Sequence, residues 1–181
     1  IAQAHKAMVL EKMNSPQKAH QAYNKALKLS PGDGYVLNAV AKHICDRGKA
    51  AEADALFVRA VQDVDYAIPQ QALQNAGVCA LKASNSNLAE LRFRSALISD
   101  PEAVLSLEAM SEIKFKQSKF FEARAFMQRR EALAPLTVMQ LQLAYHIEKA
   151  AGDDRAATKY QKQYHLLSQA PMQPPKGEGQ K

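Results

Sequence analysis

The chain of 181 residues has no Trp and only seven Gly, a composition that favours helices over sheets because Ala and unbranched side chains lose little rotamer freedom in a helix. Its formal net charge of +6 comes from basic residues interleaved with acids, which predicts solvated helix faces and no nucleic-acid partner. No apolar run approaches the roughly 20 residues needed to span a bilayer, and two cysteines are too few for a zinc cluster.

A small residue recurs at nearly constant spacing, in the column Ala19, Ala53, Ala89, Ala123 and Ala157. The steps are 34, 36, 34 and 34 residues, and a tetratricopeptide (TPR) repeat is a helix–turn–helix unit of about 34 residues. A small residue lets the second helix of a repeat approach the first closely. The column predicts five repeats, which span residues 1–31, 32–65, 66–101, 102–135 and 136–169.

The first two repeats show the other features of the motif. Tyr23 and Phe57 follow the small residue by one helical turn and fill the gap between the two helices. Asn14 and Gly48 stand in the turn between the helices, where a positive φ is needed. Pro31 ends the first repeat, because proline cannot continue a helix.

The later repeats keep the pattern with two departures. The two extra residues between repeats two and three predict a longer connection around Tyr66, after which Pro69 starts the next helix. Phe93 and Met127 occupy the large apolar position of repeats three and four. Gln161 replaces it in repeat five, which is typical of a terminal repeat whose outer face meets water.

The predicted fold is all-α, a right-handed superhelical solenoid of about five TPR repeats over residues 1–169. An irregular helical bundle is the alternative. Residues 170–181 are rich in Pro and Gly and have no apolar periodicity, so we expect a disordered tail.

No constellation for catalysis is visible in the sequence. The five histidines lack the His-Glu-x-x-His spacing of zinc enzymes, and neither a phosphate-binding glycine loop nor a Gly-x-Ser-x-Gly elbow occurs. The glycines Gly32 and Gly34 are explained by turn geometry. We therefore predict no enzymatic activity, no cofactor and no metal.

The first helices of stacked TPR repeats line a concave surface, which we expect to bind a protein segment. Apolar anchors there alternate with amides and lysines, which suits an extended or helical peptide. The candidate lining residues are Ile1, Ala4, Met8, Tyr35, Asn38, Lys42, Gln74, Val78, Lys82, Leu105 and Phe115. The competing interpretation is that neighbouring repeats simply cover the apolar members of this set.

Cys45 and Cys79 lie near the middle of the first helices of adjacent repeats. A disulfide between them would close a loop of roughly 34 residues and would stabilise the fold by at most about 4 kcal/mol in the chain-entropy model. An oxidising compartment favours the bond, whereas a cytosol favours two buried thiols. We hypothesise that the bond forms and covalently cross-links the two repeats.

A run in repeat three is more specific than general TPR columns. Residues 72–81 read Ala-Leu-Gln-Asn-Ala-Gly-Val-Cys-Ala-Leu and follow the stretched connection at Tyr66. Together with residues 93–97 and 121–126, this order of motifs resembles the TPR lipoproteins of type IV pilus biogenesis, the pilotin family of Gram-negative bacteria. The similarity extends over residues 32–169.

The resemblance implies a location at the periplasmic face of the outer membrane, through a lipid anchor upstream of Ile1. It implies a role in the outer-membrane localisation, assembly or stability of the secretin, the pore of the pilus, with other pilus assembly proteins as further partners. Family members carry six repeats, so we expect a further repeat before Ile1. An apolar face left open there would make a homo-oligomer a further alternative. The rival interpretation is a general TPR adaptor for another envelope or secretion complex.

Overall fold

The computed structural model describes residues 1–169, which are all helical apart from short connections. The helices are α1 (Ala2–Lys12), α2 (Pro16–Leu29), α3 (Gly34–Asp46), α4 (Ala50–Val61), α5 (Pro69–Lys82), α6 (Ser86–Ser99), α7 (Val104–Lys116), α8 (Phe120–Leu133), α9 (Val138–Ala150) and α10 (Asp154–Ser168). No strand occurs within this part of the chain, and the prediction of an all-α TPR fold is confirmed. The expected disordered tail lies outside the described residues.

The helices pack as five hairpins, α1 with α2, α3 with α4, α5 with α6, α7 with α8, and α9 with α10. A connection of three residues joins the helices of every hairpin. Four residues separate successive hairpins, except between α4 and α5, where the connection 62–68 has seven. This is the connection in which the sequence carries two extra residues.

The middle residue of each three-residue turn has a positive φ. Gly48 and Gly152 adopt φ values of 80° and 82° without a steric penalty, since glycine has no Cβ. Asn14, Ser84 and Ser118 adopt 53°, 58° and 59°. Such left-handed conformations are unfavourable for residues with a Cβ, and Asn tolerates them better than Ser.

The small residues of the repeat column are buried at the contact between the helices of each hairpin. Phe57 and Phe93 are among the largest fully buried side chains, and each fills the space one turn beyond its alanine. The resulting core forms three clusters along the array, the first over repeats one and two and into α5, the second around α6 and α7, and the third over the last two repeats.

Two glycines permit close packing. A Cβ atom at Gly34 would lie 2.5 Å from the Cβ of Tyr66, and one at Gly77 would lie 2.7 Å from the Phe93 ring. The explanation of Gly34 by turn geometry is therefore wrong. It is the first residue of α3, its φ is not positive, and its missing side chain makes room for Tyr66 from the long connection.

Candidate functional site

A groove of about 690 Å³ crosses the first helices of repeats three to five, α5, α7 and α9. We call it the C-terminal groove. Its apolar lining comprises Val78, Leu81, Phe93, Leu105, Ala109, Phe115, Met127, Met139 and Leu143. Its polar lining comprises Glu108, Glu112, Lys116, Thr137 and Gln140.

Large apolar side chains in this groove are open to solvent. Leu81 and Leu105 are exposed, and Met139 is 82% exposed. Single exposed apolar residues are common on any protein, but several that converge in one concavity are typical of a protein-binding surface. The C-terminal groove therefore has the chemistry of a site for an apolar segment.

One wall of the groove carries a fixed carboxylate, that of Glu108. The buried Arg130 donates from Nε to Glu108 Oε1 at 2.7 Å and from Nη1 to the carbonyl oxygen of Ala134 at 2.8 Å. Gln140 Nε2 donates to the same Glu108 oxygen, and Gln140 Oε1 accepts from Arg130 Nη2 at 3.2 Å. A capping box with Thr137 in turn fixes Gln140 at the start of α9.

The sequence gives only an indirect signal of this cluster. Arg130 falls in a repeat column that holds small residues in the first three repeats, Ala26, Ala60 and Ala96. The repeat pattern predicts a small residue at this position as well. In the structure its guanidinium joins α8 to Glu108 of α7 and to the first turn of α9, so it ties repeats four and five together.

Five of the predicted groove residues lie in or beside this concavity. Val78, Leu105 and Phe115 line the C-terminal groove itself. Lys42 and Lys82 line a neighbouring cavity of about 100 Å³, which also includes Val78 and both cysteines. Because Val78 belongs to both linings, the two cavities adjoin.

Four other predicted residues lie elsewhere on the array. Ile1, Met8 and Tyr35 are exposed, and Gln74 is partly buried, but none of them lines either of these two cavities. Their assignment to a binding surface stays a prediction.

Two predicted lining residues are turned into the protein, which corrects their placement on the open surface. Ala4 is 5% exposed and belongs to the core cluster of the first two repeats, so a ligand cannot reach it. Asn38 is also buried, and its Oδ1 accepts a hydrogen bond of 2.9 Å from Asn75 Nδ2 of α5. Asn38 therefore joins repeats two and three.

The two cysteines form a disulfide in the structure. The Cα atoms of Cys45 and Cys79 are 5.8 Å apart, within the usual range for such bonds. The structure corrects their predicted placement near the middle of the helices, because the bond joins the last turn of α3 to the last turn of α5, at the boundary with the longest connection. One turn further along, Lys82 Nζ pairs with Asp46 at 2.6 Å across the same boundary.

A polar chain joins repeats one and two. His43 Nδ1 lies 2.6 Å from Glu11 Oε1, and His43 Nε2 lies 3.1 Å from His20 Nδ1. Tyr23 donates to the other Glu11 oxygen at 2.9 Å, and Asn24 Nδ2 lies 3.2 Å from His20 Nε2. Within residues 1–169, no group of three or more His, Cys, Asp or Glu side chains is arranged to hold a metal ion.

No helix in the described part of the chain combines the length and the hydropathy needed to cross a bilayer.

No protein-family model matches the chain, and no curated protein sequence is significantly similar to it. Its fold, in contrast, recurs in solved structures. PilW, described as a widely conserved type IV pilus biogenesis factor, is 24% identical, with a TM-score of 0.79 over 94% of this chain and 79% of PilW.

Two further structures show the same architecture. Pseudomonas aeruginosa PilF is 22% identical, with a TM-score of 0.81 over 93% of this chain and 77% of PilF. YrrB, described as a TPR protein with an unusual peptide-binding site, is 14% identical, with a TM-score of 0.71 over 92% of this chain and 85% of YrrB. The chain therefore has the TPR fold of these proteins.

Proposed function

We propose that the chain is a non-catalytic protein-binding scaffold for type IV pilus biogenesis, which promotes the outer-membrane localisation, assembly or stability of the secretin. The observation that carries the proposal is the C-terminal groove, where exposed apolar side chains converge on a TPR array. The fold shared with PilW, a type IV pilus biogenesis factor, supports the choice of system.

The chemistry of the groove supports binding of a peptide segment. Apolar side chains supply the binding energy, and a few fixed polar groups set the register. The carboxylates in the groove are engaged with Arg130 and Lys116, an arrangement that suits recognition better than proton transfer. YrrB, which has the same fold and is described as having an unusual peptide-binding site, supports this proposal.

We also propose that the chain works at the periplasmic face of the outer membrane, held there by a lipid anchor upstream of Ile1. The Cys45–Cys79 disulfide supports an oxidising compartment, because structural disulfides are rare in the cytosol and persist in the periplasm.

A pull-down of the secretin from an envelope extract tests the proposal, with Met139→Asp as the groove variant. Met139 is 82% exposed, so a carboxylate there leaves the core intact but places a charge where an apolar side chain would bind. Ile98→Asp is the matched control, since Ile98 is 80% exposed on α6 and lies outside the groove lining. The wild type and Ile98→Asp should capture the secretin, and Met139→Asp should not.

Failure of the folded wild-type chain to capture the secretin would overturn the specific proposal. It would favour the second candidate, a TPR adaptor for another envelope or secretion complex. The exposed groove supports this candidate as well, because it identifies an apolar partner segment without identifying the protein that carries it. Circular dichroism of each variant establishes that it is folded.

A further inference from the structure

We propose that the C-terminal groove recognises a segment with a basic side chain between apolar ones, and that Glu108 is the counter-ion of this basic side chain. The inference rests on the proposed scaffold function and specifies the chemistry of the partner. Along α7, Leu105, Glu108, Glu112 and Phe115 recur at helical spacing and line one side of the groove. A bound segment therefore meets acidic groups flanked by apolar ones.

The Glu108 carboxylate has an oxygen available to a partner. Both hydrogen bonds that the described residues make to this carboxylate, from Arg130 Nε and Gln140 Nε2, go to Oε1. The side chain is 35% exposed, so the second oxygen, Oε2, can accept a hydrogen bond from a bound segment. An ammonium or guanidinium group is the donor that such a carboxylate binds most strongly.

The carboxylate is also held in position before binding. Arg130 is buried and anchored to the carbonyl oxygen of Ala134, and the capping box at Thr137 anchors Gln140. Because Glu108 is held from two sides, binding costs little of its rotamer entropy. A freely rotating surface glutamate would lack this advantage.

The charged groups that line the groove are two carboxylates, Glu108 and Glu112, and one ammonium group, Lys116, whereas the Arg130 that pairs with Glu108 is buried. The lining therefore favours a basic partner over an acidic one. Glu112 lies one turn beyond Glu108, and its only opposite charge within the groove is Lys116, at 2.6 Å in an exposed pair. Exposed pairs of this kind are weak and readily exchanged. An acidic segment would bring like charges together at Glu108 and Glu112, and a purely apolar one would cover Oε2 without giving it a donor.

Selection of random 15-residue peptides displayed on phage, with the folded oxidised chain as bait, tests the proposal. We expect the enriched peptides to carry Lys or Arg between apolar residues. Replacing that basic residue by norleucine should weaken binding to the wild type by about tenfold, as measured by fluorescence anisotropy. In Glu108→Gln the same replacement should have almost no effect, since the charge it complements is gone.

Glu102→Gln is the control, because Glu102 is exposed in the loop before α7 and lies outside the groove lining. It should retain the tenfold difference between the two peptides. Glutamine at position 108 keeps an oxygen that can accept from Arg130, so Glu108→Gln should fold, and its thermal unfolding curve shows whether it does.

Three results of the peptide experiments would overturn the inference: no enriched peptide, enrichment without a basic residue, or an undiminished norleucine effect in Glu108→Gln. Dimerisation in sedimentation that Met139→Asp abolishes would also overturn it, since a second copy would then occupy the groove. Secretin capture is measured separately. If the chain captures the secretin but the norleucine effect does not depend on Glu108, the proposed function stays intact and the inference fails. If the norleucine effect depends on Glu108 but the secretin is not captured, the inference is retained for a different partner.

Discussion

At the scale of single residues, the series of hydrogen bonds that runs from Asn24 through His20 and His43 to Glu11 has one consistent donor-to-acceptor direction. Asn24 donates to His20 Nε2, His20 Nδ1 to His43 Nε2, and His43 Nδ1 to Glu11. This assignment of tautomers, made from the hydrogen-bond network, satisfies both neutral rings. If both rings were protonated, two N–H groups would face each other across 3.1 Å.

The free energy of unfolding should depend on pH through His20. Burial lowers the pKa of His20, and the positive charges of Arg47 and Lys49 lower it further. Below about pH 6.5 the unfolded chain binds this proton more readily than the folded chain, so stability present above that pH is lost as the pH falls. We expect His20→Gln to lose less stability than the wild type between pH 7.5 and pH 5, measured by urea unfolding. His146→Gln, on an exposed ring, is the control; equal slopes for wild type and His20→Gln would contradict the prediction.

At the scale of helices, a buried lysine joins α6, α7 and α8. Lys114 is 1% exposed, and its Nζ lies 2.6 Å from Glu90 of α6 and 3.2 Å from Glu122 of α8. Burial alone would raise the pKa of Glu90, but hydrogen bonds from Lys114, Gln117 and Arg94 outweigh it and lower this pKa to about 2. Glu90 is therefore ionised at neutral pH.

Glu90→Gln should destabilise the protein by about 3 kcal/mol at neutral pH, because Lys114 would stay buried with Glu122 as its remaining counter-charge. The stabilisation by Glu90 is present above its unfolded pKa of about 4.3 and disappears as the pH falls towards its folded pKa of about 2. The difference between wild type and variant in urea unfolding should therefore shrink in acid. Glu112→Gln, which breaks the exposed pair with Lys116, should cost less than about 1 kcal/mol. Similar losses in the two variants would count against the buried cluster.

Helix packing in repeat three depends on Gly77. A Cβ there would lie 2.7 Å from the Phe93 ring, so Gly77→Ala should destabilise by about 1–3 kcal/mol through overpacking. Gly32→Ala is the comparison, because no atom lies within 4 Å of a Cβ at Gly32. Its unfolding midpoint should stay near that of the wild type. If Gly77→Ala proved equally neutral, α5 and α6 would be packed less tightly than described.

At the scale of the whole molecule, the boundary between repeats two and three combines the longest connection with a disulfide and several polar cross-links. The disulfide and the Asn38–Asn75 hydrogen bond join α3 to α5. Arg92 of α6 makes a bidentate pair with Asp54 of α4, at 2.8 and 2.6 Å. In a solenoid each repeat contacts only its neighbours, so a weak boundary would divide the array.

Cys45→Ser/Cys79→Ser should lower the free energy of unfolding by at most about 4 kcal/mol. Because stability in an array is a sum of neighbouring contacts, hydrogen exchange should increase more in α3–α5 than in α8–α10. Thiol titration of the unfolded, unreduced wild type should detect no free thiol. Two free thiols would refute the bond, and uniform loss of protection would refute the local effect.

The repeat was predictable from sequence because its determinants are local. Each repeat needs an alanine between its two helices, a large residue one turn later and a turn residue at positive φ. These residue types therefore recur at fixed spacing in the sequence, as Ala53, Phe57 and Gly48 illustrate. These positions are independent of the partner protein and of most of the surface.

The candidate site was less predictable because its determinants are distant in sequence. Arg130 is 22 residues from Glu108, and Gln140 is 32 residues from it, so no periodic pattern joins the three. Repeat phase placed Ala4 on the concave side but could not show that its short side chain is covered. Gly34 was misinterpreted for a similar reason, since the Tyr66 side chain that excludes a Cβ there comes from an irregular connection.

The Cys45–Cys79 bond also has a mechanical consequence. A solenoid pulled by its two ends lengthens as its helices unravel, but the residues between the two cysteines, which are 34 positions apart, cannot contribute to that lengthening. Fully extended, this stretch would span roughly 115 Å. The oxidised chain should therefore unfold under load to a contour length roughly 115 Å shorter than that of the reduced chain. The contour length in a force–extension curve would then distinguish the oxidised from the reduced form of this one bond.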